Sequence, residues 1–119
     1  MMKEINKDEI PEWNYGNVML KTYSYGDTLA LNDMFEKTGE ELTVKNGYKD
    51  SDCNLYALAA ALHFVRQQDG ISFVLNPNSN IEQKKKLAFD FDKKAAMYLL
   101  QQIKELNQDL TEDLKKKSV

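Results

Sequence analysis

The apolar positions of this chain follow two different periods. Near the start they alternate. "NVMLKTYSY", residues 17–25, sets Val18, Leu20 and Thr22 on one face and Met19, Lys21, Tyr23 and Tyr25 on the other. That is the two-residue period of a strand. Beyond it, spacings of three and four take over. Leu31, Met34 and Phe35 follow Asp27, and Gly39 closes the run, which predicts a helix capped by Asp27. Residues 41–49, "ELTVKNGYK", fit either a short strand with a turn at Asn46 and Gly47 or an irregular loop.

The stretch "DSDCNLYALAAALHFVRQQDG", residues 50–70, reads as one helix over residues 53–68. Asp50, Ser51 and Asp52 offer oxygen acceptors to the free N–H groups of a helix start. Gly70 stands where a helix commonly stops. At about 100° per residue, Leu55, Ala57, Leu58, Ala61, Leu62, Phe64 and Val65 share an apolar face. Leu58, Leu62 and Val65 are therefore expected in the core. Tyr56, Ala59, Ala60, His63, Arg66 and Gln67 fall on the other side.

Ile71, Phe73 and Leu75 alternate again and predict a short strand before a turn cluster at residues 76–80. A helix capped by Asn80 follows, anchored by Ile81, Leu87 and Phe91. Asp92 caps the last helix, with Phe91 and Ala96 at the positions of a hydrophobic staple. In that helix Ala96, Leu99, Ile103, Leu106, Leu110 and Leu114 recur at intervals of three and four, a near-heptad seam. Up to Leu106 the seam is expected to pack on the domain's own core. Beyond Asn107 the sequence turns polar and only Leu110 and Leu114 continue the stripe.

These elements imply a mostly α chain with a small β element (α+β): a short N-terminal strand or hairpin followed by about four helices. Residues 1–16 are expected to form a flexible arm and residues 17–108 a single helical domain with a small sheet. Residues 109–119 are expected as a frayed or partner-binding tail. A chain of 119 residues is one domain by size.

Charge and composition narrow the partners. The net charge is −3, with one Arg against fifteen Lys, a poor balance for phosphate or guanine recognition. No nucleic-acid partner is expected. Two basic runs, at Lys84, Lys85 and Lys86 and at Lys115, Lys116 and Lys117, fit solvated helix faces or ends. No segment approaches the roughly 20 apolar residues that cross a bilayer, and the charged start lacks the apolar core of a signal peptide. A single cysteine rules out an internal disulfide and suits a reducing compartment. A cytoplasmic protein with no membrane partner is the expectation.

Candidate chemistry concentrates in one place, because Cys53, His63 and Arg66 are each the only residue of their type. A helix would hold Cys53 and His63 ten residues apart, roughly 15 Å along its axis, whereas a nucleophile and its base need hydrogen-bond contact. One Cys and one His also fall short of a zinc ligand set. "DSD" at residues 50–52 and "DFD" at residues 90–92 read as helix caps. There is no phosphate-binding glycine loop, nucleophile elbow or dinucleotide fingerprint. No catalytic residue, cofactor or metal is expected, and the chain reads as a non-enzyme. The candidate partner-binding residues are Tyr56, His63 and Arg66 on the polar face, and Leu106, Leu110 and Leu114 on the final seam.

The order of features resembles a known family. A short strand leads into "SYGD" and "LNDM", residues 24–27 and 31–34. "NLYALAAALHFV" runs into "QQDGISFVLN", and "LLQQIKELNQDL" closes the chain. Over residues 17–110 this resembles the tail assembly chaperones of long-tailed (siphovirus-like) bacteriophages. The matching positions are residues 24–27, Asp69 with Gly70, and Leu106 with Asn107. The polar segment before Trp13 and the stretch "ELTVKNGYKDSD" depart from the pattern.

The resemblance implies a non-enzymatic protein of the host cytoplasm. It would bind the tape-measure protein or another helical phage tail protein, keep it soluble, and support tail-tube assembly. Self-association into a homo-oligomer is compatible with it. An apolar surplus at Met97, Leu100, Ile103 and Leu106 would supply a groove for a helical client. The alternatives are a structural or adaptor subunit of a phage particle and a small intracellular protein-binding regulator.

Overall fold

In a computed structural model that describes residues 1–107, six strands lie in two antiparallel sheets beside four helices. The described chain is 44% helical and 22% strand. This corrects the expectation of a mostly helical chain with one small β element. The difference comes from three segments whose strand character is set by pairing rather than by local pattern.

The first is the N-terminus. Strand β1 (Met2–Ile5) pairs antiparallel with β2 (Val18–Lys21), with Met2 opposite Lys21 and Ile5 opposite Val18. Residues 1–16 are thus built into the fold rather than forming a flexible arm. Ile5 and Ile10 are buried. The Trp13 indole N–H donates to the Gly16 carbonyl at 2.8 Å. The Trp13 ring meets Phe91 and Tyr15 edge-on at 4.8 and 4.9 Å. In "MKEI" only two of four residues are apolar, so the strand is stabilised by its neighbour and is silent in its own sequence.

The second is the hairpin of β3 (Phe35–Thr38) and β4 (Glu41–Val44). Helix α1 (Tyr25–Asp33) ends before it. Gly39, expected to stop that helix, instead sits in the two-residue hairpin turn at a φ of +69°, a conformation open chiefly to glycine. The start of α1 also moves. Ser24 is its cap, and Asp27 is the third helical residue of a reciprocal capping box. The Ser24 hydroxyl accepts from Asp27 N–H and the Asp27 carboxylate accepts from Ser24 N–H, each at 3.1 Å.

The third correction is the largest. The single helix expected over residues 53–68 is a helix followed at once by a strand: α2 (Asp50–Ala61) and β5 (Leu62–Arg66). β5 pairs with β2 on one side and with β6 (Phe73–Leu75) on the other, giving the sheet order β1-β2-β5-β6. Leu62 and Val65 are both buried, as the helical spacing required. Two residues three apart cannot share a face of a regular strand. A register shift resolves this: Leu20 opposes Leu62 and Met19 opposes Phe64, so His63 is the extra residue of a bulge. The bulge lets a strand bury residues at a helix-like interval.

The last two helices match their predicted caps. α3 (Ile81–Phe89) starts at Asn80, whose side chain accepts from Gln83 N–H at 2.9 Å. α4 (Lys93–Leu106) starts at Asp92, which accepts from Lys94 N–H at 2.9 Å. Leu99 and Ile103 of α4 pack with Leu58 and Ala61 of α2 against the inward sheet residues Val18, Leu20, Leu62 and Val65. Leu106 packs at the edge of this cluster.

Candidate functional site

The residues that drew attention in the sequence do not form one centre. Cys53 is buried in the first turn of α2, while His63 and Arg66 lie on β5. His63 and Arg66 are therefore not one helical step apart on a polar face, as expected. Instead they flank Phe64. The Arg66 guanidinium lies 5.0 Å from the Phe64 ring centre and 5.1 Å from that of Phe73 on β6. The His63 ring is 5.6 Å from Phe64. Tyr56 stays on α2, half-buried. Leu106 packs on the core, and Leu110 and Leu114 lie outside the described residues.

Electrostatics give no sign of an activated nucleophile. Burial pushes the Cys53 thiol pKa up, and the charges of Asp50 and Asp52 push it further, so the thiolate is disfavoured. Burial lowers the His63 pKa, helped by the nearby ammonium groups of Lys84 and Lys21. Lys84 is itself buried, and that burial, with Lys21 nearby, lowers its pKa. Lys21 is paired with Asp27 at 3.1 Å. Among the described residues no group of three or more His, Cys, Asp or Glu side chains is placed to hold a metal ion. No described helix is long and apolar enough to cross a membrane.

The feature with the shape of a binding site is an apolar groove of about 520 Å³. Its floor is α2, through Cys53 and Ala57. One wall is α1 and the hairpin, through Leu31, Phe35 and Leu42. The other is α4, through Met97, Leu100 and Ile103. Leu42 and Met97 are 59% and 61% exposed, a wide exposure for apolar residues facing one concavity. Lys104 is the one charged side chain in the described lining. Of the four residues expected to form a groove on the last helix, Met97, Leu100 and Ile103 do so; Leu106 does not line it.

Hydrogen bonds fix the groove's end. Tyr23 donates its hydroxyl to the Ala57 carbonyl at 2.9 Å and its N–H to the Asn107 side-chain oxygen at 3.0 Å. Burial raises the Tyr23 pKa well above the usual phenol range, with the Asp27 charge adding to it, so this hydroxyl remains a donor. The Asn107 side-chain N–H donates to the Ile103 carbonyl at 3.0 Å. Tyr23 and Asn107 both line the groove and hold α2, α4 and the β2-to-α1 link together.

Phe35 and Leu42 were missed as site residues. Phe35 reads as part of a helical spacing and Leu42 as part of a strand or loop, and only the β3–β4 pairing brings both to the groove. Comparison with known proteins adds no relative: no protein family, no curated protein and no solved structure matches the chain.

Proposed function

We propose that this protein is a non-enzymatic chaperone of phage tail assembly that holds an apolar helix of its client in the groove between α4 and the β3–β4 hairpin. The client would be the tape-measure protein or another helical tail protein, met in the cytoplasm of the host cell. One observation carries the reading: a preformed apolar groove of about 520 Å³ on an acidic chain of net charge −3. Grooves of this kind receive amphipathic helices through side chains one turn apart. The acidic body would keep the complex soluble. The order of sequence features shared with tail assembly chaperones supports the choice of client.

The test is co-expression with a tape-measure protein of a long-tailed phage. The wild-type chain is expected to keep that protein soluble and to co-purify with it. Leu42→Asp with Met97→Asp, two exposed positions on opposite walls, is expected to abolish co-purification while leaving the melting temperature unchanged. A double variant that folds and still captures the client refutes the groove reading. Finding the protein in finished tails would favour the structural-subunit alternative instead.

A further inference from the structure

The basic run Lys84, Lys85 and Lys86, expected as a solvated helix face, is not uniformly solvated. Lys86 is exposed, but Lys84 is only 7% exposed. Among the described residues the Lys84 ammonium makes no hydrogen bond and no ion pair. It is not sealed off either, since no described side-chain nitrogen or oxygen is both enclosed and unbonded. The stem of Lys84 is thus packed into the fold while its charged end stands at an opening. Lysine is almost never buried this deeply unless paired, because a charge taken out of water needs a counter-charge.

Several elements bring ionisable side chains to this place. Lys84 comes from α3, Lys21 from β2, His63 from β5 and Asp27 from α1. Leu20 stands opposite Leu62 across the sheet, so Lys21 and His63 each follow one member of that pair. Lys21 and Asp27 are 3.1 Å apart, and Asp27 also accepts from the Ser24 N–H. The carboxylate of this cluster is therefore already engaged. After burial, the charges of Lys84 and Lys21 depress the His63 pKa, and that of Lys21 depresses the Lys84 pKa, against the pull of Asp27. Tyr56 on α2 feels the Asp27 charge as well. With His63 neutral, two cations against one carboxylate leave one positive charge uncompensated, on a chain whose net charge is −3.

We propose that Lys84, Lys21 and His63 form a binding site for a carboxylate group, with the Lys84 ammonium as its counter-charge and Lys21 and His63 beside it. A single negative charge matches the single uncompensated positive one. The neutral imidazole adds one N–H donor. A phosphate group carries nearly two charges at neutral pH, and its second would be repelled by Asp27. None of the three residues lines the apolar groove, so the site does not depend on the proposed client.

His63 is the chain's only histidine, so its ring protons give one NMR signal that follows the charge of the site. Its pKa is measured with sodium acetate replacing sodium chloride at constant ionic strength, which holds screening fixed. A carboxylate bound beside the imidazole favours the charged form. The His63 pKa is expected to rise with acetate by about half a pH unit and then level off. Inorganic phosphate is expected to move it less. Lys84→Met keeps the length of the side chain and removes its charge. In chloride this variant is expected to melt no lower than wild type, because an apolar group replaces an unpaired buried cation. Its His63 pKa is expected to start higher, with the Lys84 repulsion gone, and to ignore acetate. Acetate is expected to raise the melting temperature of the wild type alone. Lys84→Gln serves the same comparison where Lys84→Met does not fold.

A wild-type His63 pKa that is the same in acetate and chloride overturns the inference. An equal acetate response in the folded Lys84 variant also overturns it, because the anion then binds elsewhere. Saturation by phosphate with no response to acetate overturns the assignment to a carboxylate.

Discussion

Leu62 is where the chain changes from helix to strand, and it is fully buried. Its neighbours in the cluster include Leu20 on the paired strand and Leu99 on α4. Leu62→Ala removes a side chain from a site closed on every side, so the cavity cannot collapse cheaply. The expected cost is about 2–5 kcal/mol, read as a fall in the midpoint of urea unfolding with little change in slope. The residues around it also mark how far single positions were legible. Leu58, Leu62 and Val65 were readable as core because burial leaves the same apolar signature in either structure. The secondary structure beneath them was not readable. Spacings of three and four at Leu58, Ala61, Leu62 and Val65 are those of a helix, and only the bulge at His63 lets β5 reproduce them. A pairing between residues more than forty positions apart decides that bulge, and no local pattern encodes it.

At the level of elements, the clearest sequence signals were caps. Asn80 and Asp92 begin α3 and α4 as their side chains predict, because a cap is a local bond between neighbours. The start of α1 was misplaced by three residues because Asp27 can cap in two ways. It occupies the third helical position, accepting from Ser24 N–H and from the Lys21 ammonium at 3.1 Å. Burial raises the Asp27 pKa, but the hydrogen bonds from Ser24 and the charge and hydrogen bond of Lys21 outweigh it, and the net shift is downward. A carboxyl depressed on folding stabilises the native state above its unfolded value of about 3.9, and that contribution is lost as the pH falls through the folded value. Asp27→Asn is therefore expected to be less stable than wild type at neutral pH. The gap should hold from about pH 7 to pH 5 and shrink below about pH 4. Urea unfolding across that range measures it; a gap independent of pH would mean that the charge of Asp27 contributes nothing.

The whole molecule is organised around α4, which serves two surfaces at once. Ala95 and Leu99 face the core, Met97, Leu100 and Lys104 face the groove, and Ile103 touches both. The heptad-like seam predicted the first surface. The second was visible only as surplus apolar residues, because the opposite wall comes from a hairpin more than fifty residues away. Asn107 joins the two surfaces. Its side-chain oxygen satisfies the N–H of Tyr23 and its side-chain N–H satisfies the Ile103 carbonyl, while Tyr23 reaches across to Ala57. Asn107→Ala withdraws the acceptor of the Tyr23 N–H without removing apolar packing, while the Ile103 carbonyl keeps the Asn107 backbone N–H at 3.0 Å. Stranding a partly buried donor costs about 1–3 kcal/mol, and each kcal/mol lowers the melting temperature by about 3–6 °C in a domain of this size. A pure stability effect would speed amide exchange throughout the core. The geometry predicts something more local: the Tyr23 amide should lose protection well before Leu20 or Leu62, because the groove rim opens while the sheet stays paired. Uniform loss of protection at all three amides would show instead that the rim and the core unfold as one unit, and that the groove has no independent freedom to open.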